Sequence, residues 1–434
     1  MKKILISSAI MTGILSTSLF GENFSGVTIE AKLIGGQQYE RLYSRIGLWE
    51  KKTGAKVKIL SKKNHFELDK EIKSDIAAGT TSWCVASNHT SFAPQYGSLY
   101  IDLKEVMPKK YLGEFVPTLL KAGIVNNRQV MVPRAQFDVR ALYYRKSLYN
   151  SSKNKTGFEK EYGYALIPPK TWKEVKDQAI FFSKLPNMYG TQFAGKDEAL
   201  NGTFFEFLVS EGGQMFDKDN KPTFNSKAGV RALQWFVDLY KAKGVPAGTI
   251  SYLWDELGAG FASGTIAIDF DWGGWSGYFN DPKNSKAAGD IGILPPPKGS
   301  VRRTGWSGSH GFSITKKCSN KKAAASLIEF LTDDEAQVFE SEKGSFPTRT
   351  NVWAKIKKDI ANGNDQYKKD KMSAFGVAAE GAFPVPQIPE WLEVSNIMFP
   401  YLQKAILGDL TAKQALDKAQ KDVYELMEEN GYYK

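Results

Sequence analysis

Early in the chain the spacing of apolar residues switches repeatedly between two periods. Val27–Ile34 is apolar-rich and ends at Gly35-Gly36, which reads as a strand and a tight turn. Gln38–Lys51 carries Leu42, Ile46 and Trp49 at helical spacing and stops at Gly54. Ala55–Leu60 alternates apolar and polar, a second strand. Phe66–Ala78 places Leu68, Ile72 and Ile76 four residues apart, a helix closed by Gly79, and Trp83–Ala86 follows as a third strand. This alternation of strand and helix predicts a parallel sheet covered on both faces.

The middle of the chain is less regular. Gln129–Pro133 and Leu142–Arg145 read as short strands flanking Arg134–Arg140, a crossing between two lobes. Ser151–Pro169 is polar and rich in Tyr, Gly and Pro, and reads as a surface excursion. Thr171 is placed to cap a helix over Trp172–Leu185. Further helices are predicted over Gly202–Glu211, Ala228–Lys243 (capped by Asn225 or Ser226) and Trp254–Phe261, and further strands over Thr265–Phe270, Ile291–Leu294 and Gly311–Thr315. Helices over Lys321–Leu331, Glu335–Glu342, Val352–Ile360, Asn396–Leu407 and Thr411–Asn430 complete the pattern. A chain of 434 residues with this pattern suits two α/β units better than one core.

Residues 1–21 stand apart. Met1-Lys2-Lys3 is a basic start, Ile4–Phe20 is uncharged and apolar or small, and a polar stretch follows. That is the layout of a secretory signal peptide cleaved near Gly21, and it predicts export, with a Gram-negative periplasm as the destination. The apolar run is short for a membrane-spanning helix, and no cysteine stands at the cleavage point to take a lipid.

Composition narrows the chemistry. The net charge is +11, but the lysines lie scattered among acidic residues, with no long basic block and no nucleic-acid-binding motif, so the charge reads as solvated surface and no nucleic-acid partner is expected. Cys84 and Cys318 are too few for a disulfide scaffold; an oxidising compartment permits a bridge, yet two buried thiols are the expectation. The three histidines, His65, His89 and His310, show no mutual ligand spacing. No zinc, calcium, Walker-type, dinucleotide or nucleophile-elbow signature occurs, so neither metal nor cofactor is expected and the chain does not read as an enzyme. One catalytic alternative remains, a glycosidase-like carboxylate pair at Asp269 and Asp271.

Aromatic content is the positive signal, with 10 Trp, 19 Tyr and 26 Phe. Most of these belong to cores. Asp269–Tyr278 differs: it mixes Trp272 and Trp275 with carboxylates and Gly273-Gly274 just after a strand, where open sheets bind ligands. Thr304–His310, with Trp306 between glycines, has the same character. Indole faces suit the C–H faces of sugars, and carboxylates, amides and imidazoles suit their hydroxyls. Buried tryptophans in turns are the plainer alternative.

The order and spacing of several short stretches resemble the type-1 extracellular solute-binding proteins of ABC importers, the maltose-binding protein family. They are Leu33–Gly36, Trp49–Gly54, Ala77–Gly79, Val132-Pro133 with Phe137–Arg140 and Leu142–Arg145, Pro168–Trp172, Phe261–Gly264, Ala324–Leu331, and Gly344 with Phe346–Arg349. The chain departs from the family at Ser82-Trp83-Cys84, where Pro-Asp is common. The resemblance implies a two-lobed α/β periplasmic-binding-protein fold, each lobe a mostly parallel sheet flanked by helices. Lobe one is expected to hold 22–138 and 303–348, and lobe two 142–298 and 352–434, with hinge crossings near 139–141, 299–302 and 349–351. The cleft between them is expected to be lined by Gly36, Gln37, Gln38, Asn88, His89, Phe137, Asp138, Trp254, Asp269, Asp271, Trp272, Trp275, Trp306, His310 and Arg349. Of these, Gln37, Asp138, Asp269, Asp271, His310 and Arg349 are the expected hydroxyl partners, although Arg349 could instead pin its own turn. The implied role is capture of a sugar or glycoside by a monomer and its delivery to an inner-membrane permease. A polyol, a glycerol phosphate ester or an osmolyte is the alternative ligand, and a secreted carbohydrate-active enzyme the alternative class.

Overall fold

The computed structural model describes residues 22–36, 38–135, 138–342 and 345–433, so the predicted signal peptide lies outside the described residues. In chain order the strands that build the site are β1 (Thr28–Ile34), β2 (Lys56–Lys63), β3 (Val85–His89), β4 (Val132–Pro133), β5 (Arg140–Arg145), β6 (Ile268–Trp272), β7 (Ile291–Leu294), β8 (Gly305–Trp306), β9 (His310–Ile314) and β10 (Ala382–Phe383). The helices used below are α1 (Ile46–Thr53), α2 (His65–Ala78), α3 (Ser152–Tyr162), α4 (Trp172–Phe182), α5 (Asp197–Ser210), α6 (Lys227–Lys241), α7 (Trp254–Ala262), α8 (Lys321–Thr332), α9 (Asp334–Ser341), α10 (Thr350–Asn362), α11 (Gln366–Glu380), α12 (Trp391–Leu407) and α13 (Ala412–Glu429). None of the described helices is long and apolar enough to cross a membrane.

Two open sheets flanked by helices, the first of them mixed, form the two lobes. The first has the order β2-β1-β3-β9-β4 and the second β6-β5-β7. Parallel pairing in these sheets is confined to β1 with β2 and β3; β9 runs antiparallel to both its neighbours, and every ladder of the second sheet is antiparallel. This departs from the mostly parallel sheets implied by the resemblance. Helical crossovers impose parallel pairing only where a strand rejoins its own sheet after one helix, as in β1-β2-β3; β9 and β6 come back from the other direction. A short parallel pair, β8 with β10, joins Trp306 to Phe383.

The local signals of the sequence hold where a cap or a strong apolar stripe sets them. Asn64 caps α2 by accepting from the Phe66 and Glu67 amides, at 3.1 and 3.0 Å. Thr171 and Glu174 form a reciprocal capping box at the start of α4. Trp49, on α1, is fully buried and donates to Ser326 Oγ at 3.1 Å, tying α1 to α8.

Elsewhere the structure differs from expectation. Ser152–Tyr162 is a helix, not a surface excursion: Ser151 caps it, and its buried Phe158 stacks on Tyr162 and meets Phe181 edge-on. With only that narrow apolar stripe, tertiary packing rather than periodicity makes the helix. The helix expected over Gln38–Lys51 is interrupted, with Glu40–Tyr43 separated from α1. The pattern also missed α11, which buries Met372, Ala374, Phe375 and Ala378 without a clean heptad.

The cysteines correct the expectation of free thiols: Cys84 and Cys318 form a disulfide, with Cα atoms 4.5 Å apart. The reason is the β3–β9 ladder. Val85 pairs with Ile314, the Thr315 amide donates to Cys84 O, and a turn brings Cys318 back onto Thr315. A separation of 234 residues hides that proximity in the sequence.

Candidate functional site

Strand ends and helix starts from both sheets meet at one cavity. From the first side come Gln38 and Tyr39 after β1, His65 at the start of α2, His89 at the end of β3, and His310 at the start of β9. From the second come Glu198 on α5, Trp254 opening α7, Trp272 ending β6 and Trp306 on β8; Asp138 and Gly308 complete the wall. The space between these walls is about 350 Å³, its open mouth included. The walls therefore stand close. Two further hollows flank it, one of about 520 Å³ bounded by Asn64–Phe66 and Leu253–Glu256, the other of about 800 Å³ bounded by Arg41, Glu340 and Ser345 and by Trp275, Tyr278 and Asp281. Gln38 borders all three.

All three histidines of the chain gather here. His89 and His310 are register partners on β3 and β9, with ring centroids 4.7 Å apart. His65 stacks on His89 at 5.6 Å and lies 5.8 Å from His310. Burial, reinforced by His310, holds His65 down to about 3 and His89 well below its ordinary value, so both are neutral imidazoles. His310 Nδ1 lies 3.2 Å from Asp138 Oδ2, and the Tyr39 hydroxyl lies 3.5 Å from the same ring. Gln38 Nε2 donates to that hydroxyl at 3.1 Å. Among the described residues no group of three or more His, Cys, Asp or Glu is arranged to hold a metal ion.

Facing the histidines, three indoles form a tilted box. Ring centroids are 5.4 Å apart for Trp254–Trp272, 5.1 Å for Trp272–Trp306 and 5.9 Å for Trp254–Trp306, with interplanar angles of 79°, 65° and 54°. The box is braced from behind by Arg140, the register partner of Trp272, whose guanidinium lies 5.4 Å from the Trp254 ring and 5.7 Å from the Trp272 ring. That guanidinium pairs with the buried Glu206, which also accepts from the Trp306 amide. Gly202, on α5, has no side chain because the Trp306 ring occupies its space. Gly202→Ala is therefore expected to push Trp306 out of position and to change its fluorescence together with ligand affinity; a variant with unchanged emission and affinity would refute this packing role.

Some expected residues are elsewhere. Gln37 and Phe137 lie outside the described residues. Asn88 is bonded to Ser313 Oγ at 3.2 Å and borders a small hollow behind the histidines. Gly36 has φ +128° and faces Tyr39 and Asp255 without bordering the central cavity. Trp275 borders one flanking hollow, but its ring stacks on Phe279 and covers Gly258, where a Cβ would come within 2.7 Å of the indole. Asp269 and Asp271 share one side of β6, as an i, i+2 pair must, but both are fully buried and border none of these cavities. Asp269 accepts from Gln192 Nε2 at 3.0 Å, and Asp271 from the Trp272 amide at 2.7 Å.

Arg349 sits between the Tyr111 and Phe115 rings and pairs with Glu114 and Asp334, pinning its turn away from the cavity. Arg349→Met is expected to lower stability by about 1–3 kcal/mol, the partners being half exposed, with little effect on ligand affinity. Urea denaturation and calorimetry separate the two; a loss of affinity without a loss of stability would place Arg349 at the site. Tyr39, His65 and Glu198 were missed by sequence reasoning. The usable signal for Glu198 was a carboxylate at the head of an otherwise apolar run, Ala199–Val209 broken only by Asn201, Gly202, Thr203 and Glu206.

Buried carboxyls set a pH dependence. Burial pushes Glu198 and Glu206 up to about 7, Glu206 against the pull of Arg140. Burial also raises Asp269 and Asp271, the latter further because of the charge of Asp269. Unfolded, such groups ionise near 4. The stability they contribute is complete below that value and is lost as pH rises through about 7. His65 and His89 act in the opposite sense, since their contribution is lost as pH falls below about 6.5. Four carboxyls outweigh two imidazoles, so the ligand-free protein is expected to resist urea better at about pH 5.5 than at about pH 7.5. Equal or greater resistance at the higher pH would show that these carboxyls are ionised in the fold.

Similarity to known proteins agrees with this arrangement. The family model described as bacterial extracellular solute-binding protein matches residues 31–338. Maltose-bound MalE3 of T. maritima is 27% identical, with a TM-score of 0.79 over 92% of this chain and 100% of that one. A solute-binding protein of Agrobacterium radiobacter K84 in complex with ribitol has a TM-score of 0.79 at 22% identity, over 93% and 100% of the two chains. A galactooligosaccharide-binding protein of Bacillus subtilis is 23% identical over 86% of this chain and 83% of its own. A probable amino-acid ABC transporter periplasmic-binding protein of Sinorhizobium fredii is 24% identical over 95% and 92%. With a two-lobed fold, a cavity walled from both sheets and a family match over most of its length, the chain belongs to the bacterial extracellular solute-binding proteins.

Proposed function

We propose that this protein captures a sugar or sugar-derived polyol in the cavity between its sheets and delivers it to the permease of an ABC importer. The observation that carries the reading is the wall itself: three indoles opposite neutral imidazoles, Gln38, Tyr39 and two carboxylates, with no Lys or Arg among the described lining residues. Indoles cover the apolar faces of a pyranose or the chain of a polyol, and the polar groups bond the hydroxyls. MalE3 of T. maritima and its ribitol-bound relative are described with ligands of this kind. A phosphate ester or a free amino acid fits less well, because each brings an anionic group that needs a cation or a cluster of amides.

Capture follows by hinge motion, with 22–138 and 303–348 moving against 142–298 and 352–434 about crossings near 139–141, 299–302 and 349–351. Such a cycle needs no second subunit, so the protein acts as a monomer, exported to the periplasm by its first residues. The test is a thermal-shift panel of maltose, galactooligosaccharides, ribitol, glycerol 3-phosphate and amino acids. A true ligand at a hundred times its Kd stabilises the fold by about 2.7 kcal/mol. Stabilisation by the phosphate ester or an amino acid, and by no sugar or polyol, would overturn the reading.

A further inference from the structure

We infer that the saccharide taken by this cleft carries a protonated amine, which seats beside Glu198 against the three indoles. The inference rests on the sugar reading above and narrows it.

Glu198 is the reason. It stands near the start of α5 and is 2% exposed, yet it borders the central cavity. Oε1 accepts from the Trp391 ring N–H at 2.9 Å. Oε2 is buried without a hydrogen bond of normal geometry, although the Ser91 hydroxyl is near enough to favour its charge. Among the described residues Glu198 joins no ion pair. The other carboxylate of the wall, Asp138, already faces His310. The nearby guanidinium of Arg140 is taken up by Glu206 and by the Phe270 carbonyl. The cavity therefore holds an uncompensated acid at its wall, and burial accordingly pushes that acid up to about 7.

A cation resolves this, and the remaining wall suits one. The faces of Trp, of all aromatic side chains, attract cations best, and rings tilted against one another offer several faces to one charge. Trp254, Trp272 and Trp306 are mutually tilted by 54–79°. His65 is neutral and keeps a lone pair that can accept an ammonium N–H bond, whereas the lone pair of His89 Nδ1 already accepts from the Ser91 amide at 3.2 Å. A neutral sugar could exchange one hydroxyl hydrogen bond with Glu198, but only a cation favours its ionised form over the protonated acid that burial otherwise stabilises. A phosphate or carboxylate would bring the wrong sign.

The experiment is calorimetry on the mature protein at neutral pH. Glucosamine and galactosamine are compared with glucose and galactose and with the two N-acetylated forms, and choline is included as a cation without a sugar frame. The amines should bind at least tenfold more tightly than both the parent and the acetylated sugars, because acetylation keeps the nitrogen and removes the charge. Glu198→Gln should bring the ratio of amine to parent sugar close to one. The wild-type series stands by itself should that variant fail to fold. A parent or acetylated sugar binding as tightly as its amine overturns the inference and leaves the sugar reading in place. Binding of choline but of no sugar overturns both. Binding of none of the seven compounds at millimolar concentration overturns the inference. An undiminished amine preference in a folded Glu198→Gln protein overturns the role of Glu198.

Discussion

Replacing Cys84 and Cys318 together with alanine is expected to lower the free energy of unfolding by about 3–5 kcal/mol while leaving ligand affinity nearly unchanged. The bridge closes a segment of 234 residues, and the entropy it removes from the unfolded chain grows with the length of the closed loop. It lies at the end of the β3–β9 ladder opposite His89 and His310, so no residue of the cavity depends on it directly. Urea denaturation of the double variant, and of the wild type with and without a reductant, measures the effect. A loss below about 1 kcal/mol would show that the unfolded chain keeps β3 and β9 together without the bridge.

The second large effect concerns the indoles, and separates two kinds of tryptophan. Trp254 is only partly buried and borders two cavities, so Trp254→Ala is expected to weaken binding about tenfold to thirtyfold with a small change in stability. Adding Trp272→Ala should bring the loss to between about a hundredfold and a thousandfold; the two rings touch, and strict additivity is not expected. Trp275→Ala should do the reverse. Its ring is 2% exposed and stacked on Phe279, and its removal should lower stability by about 3–5 kcal/mol while affinity moves little. Melting temperature and affinity measured separately for the three variants decide the matter. If Trp254→Ala binds as the wild type does, the indole box is packing and not a recognition surface.

What the sequence made legible was whatever depends on neighbours along the chain. Caps at Thr171 and Ser226 and glycine stops at Gly54 and Gly79 are local events, and they could be read directly. Trp272 and Trp306 could be singled out because glycines flank them in stretches that carry no helical stripe. The rest is set by contacts that the chain makes across long separations. Asp269 and Asp271 look like site residues beside Trp272, but strand alternation sends Trp272 to one side of β6 and both aspartates to the other. His65, His89 and His310 show no ligand spacing, yet the sheet order places them in mutual contact. Glu198 heads an apolar run, but that it reaches a cavity is seen only once α5 is placed behind Trp306. The same holds for α3, whose polar sequence hides the one buried ring that fixes it.

The order β2-β1-β3-β9-β4 also has a consequence in time. β9 fills the place between β3 and β4, yet it is made only after the whole second sheet. A chain that leaves the ribosome at about 5–20 residues per second exposes those two strand edges for on the order of ten seconds before their partner exists. Open edges of that kind pair readily with other chains. Contacts of such long range also slow the search for the native topology. The first lobe therefore cannot close its sheet until every strand of the second has been made, despite being begun first. Oxidation of Cys84 with Cys318 marks the moment at which the late strand has arrived, and makes its arrival hard to reverse.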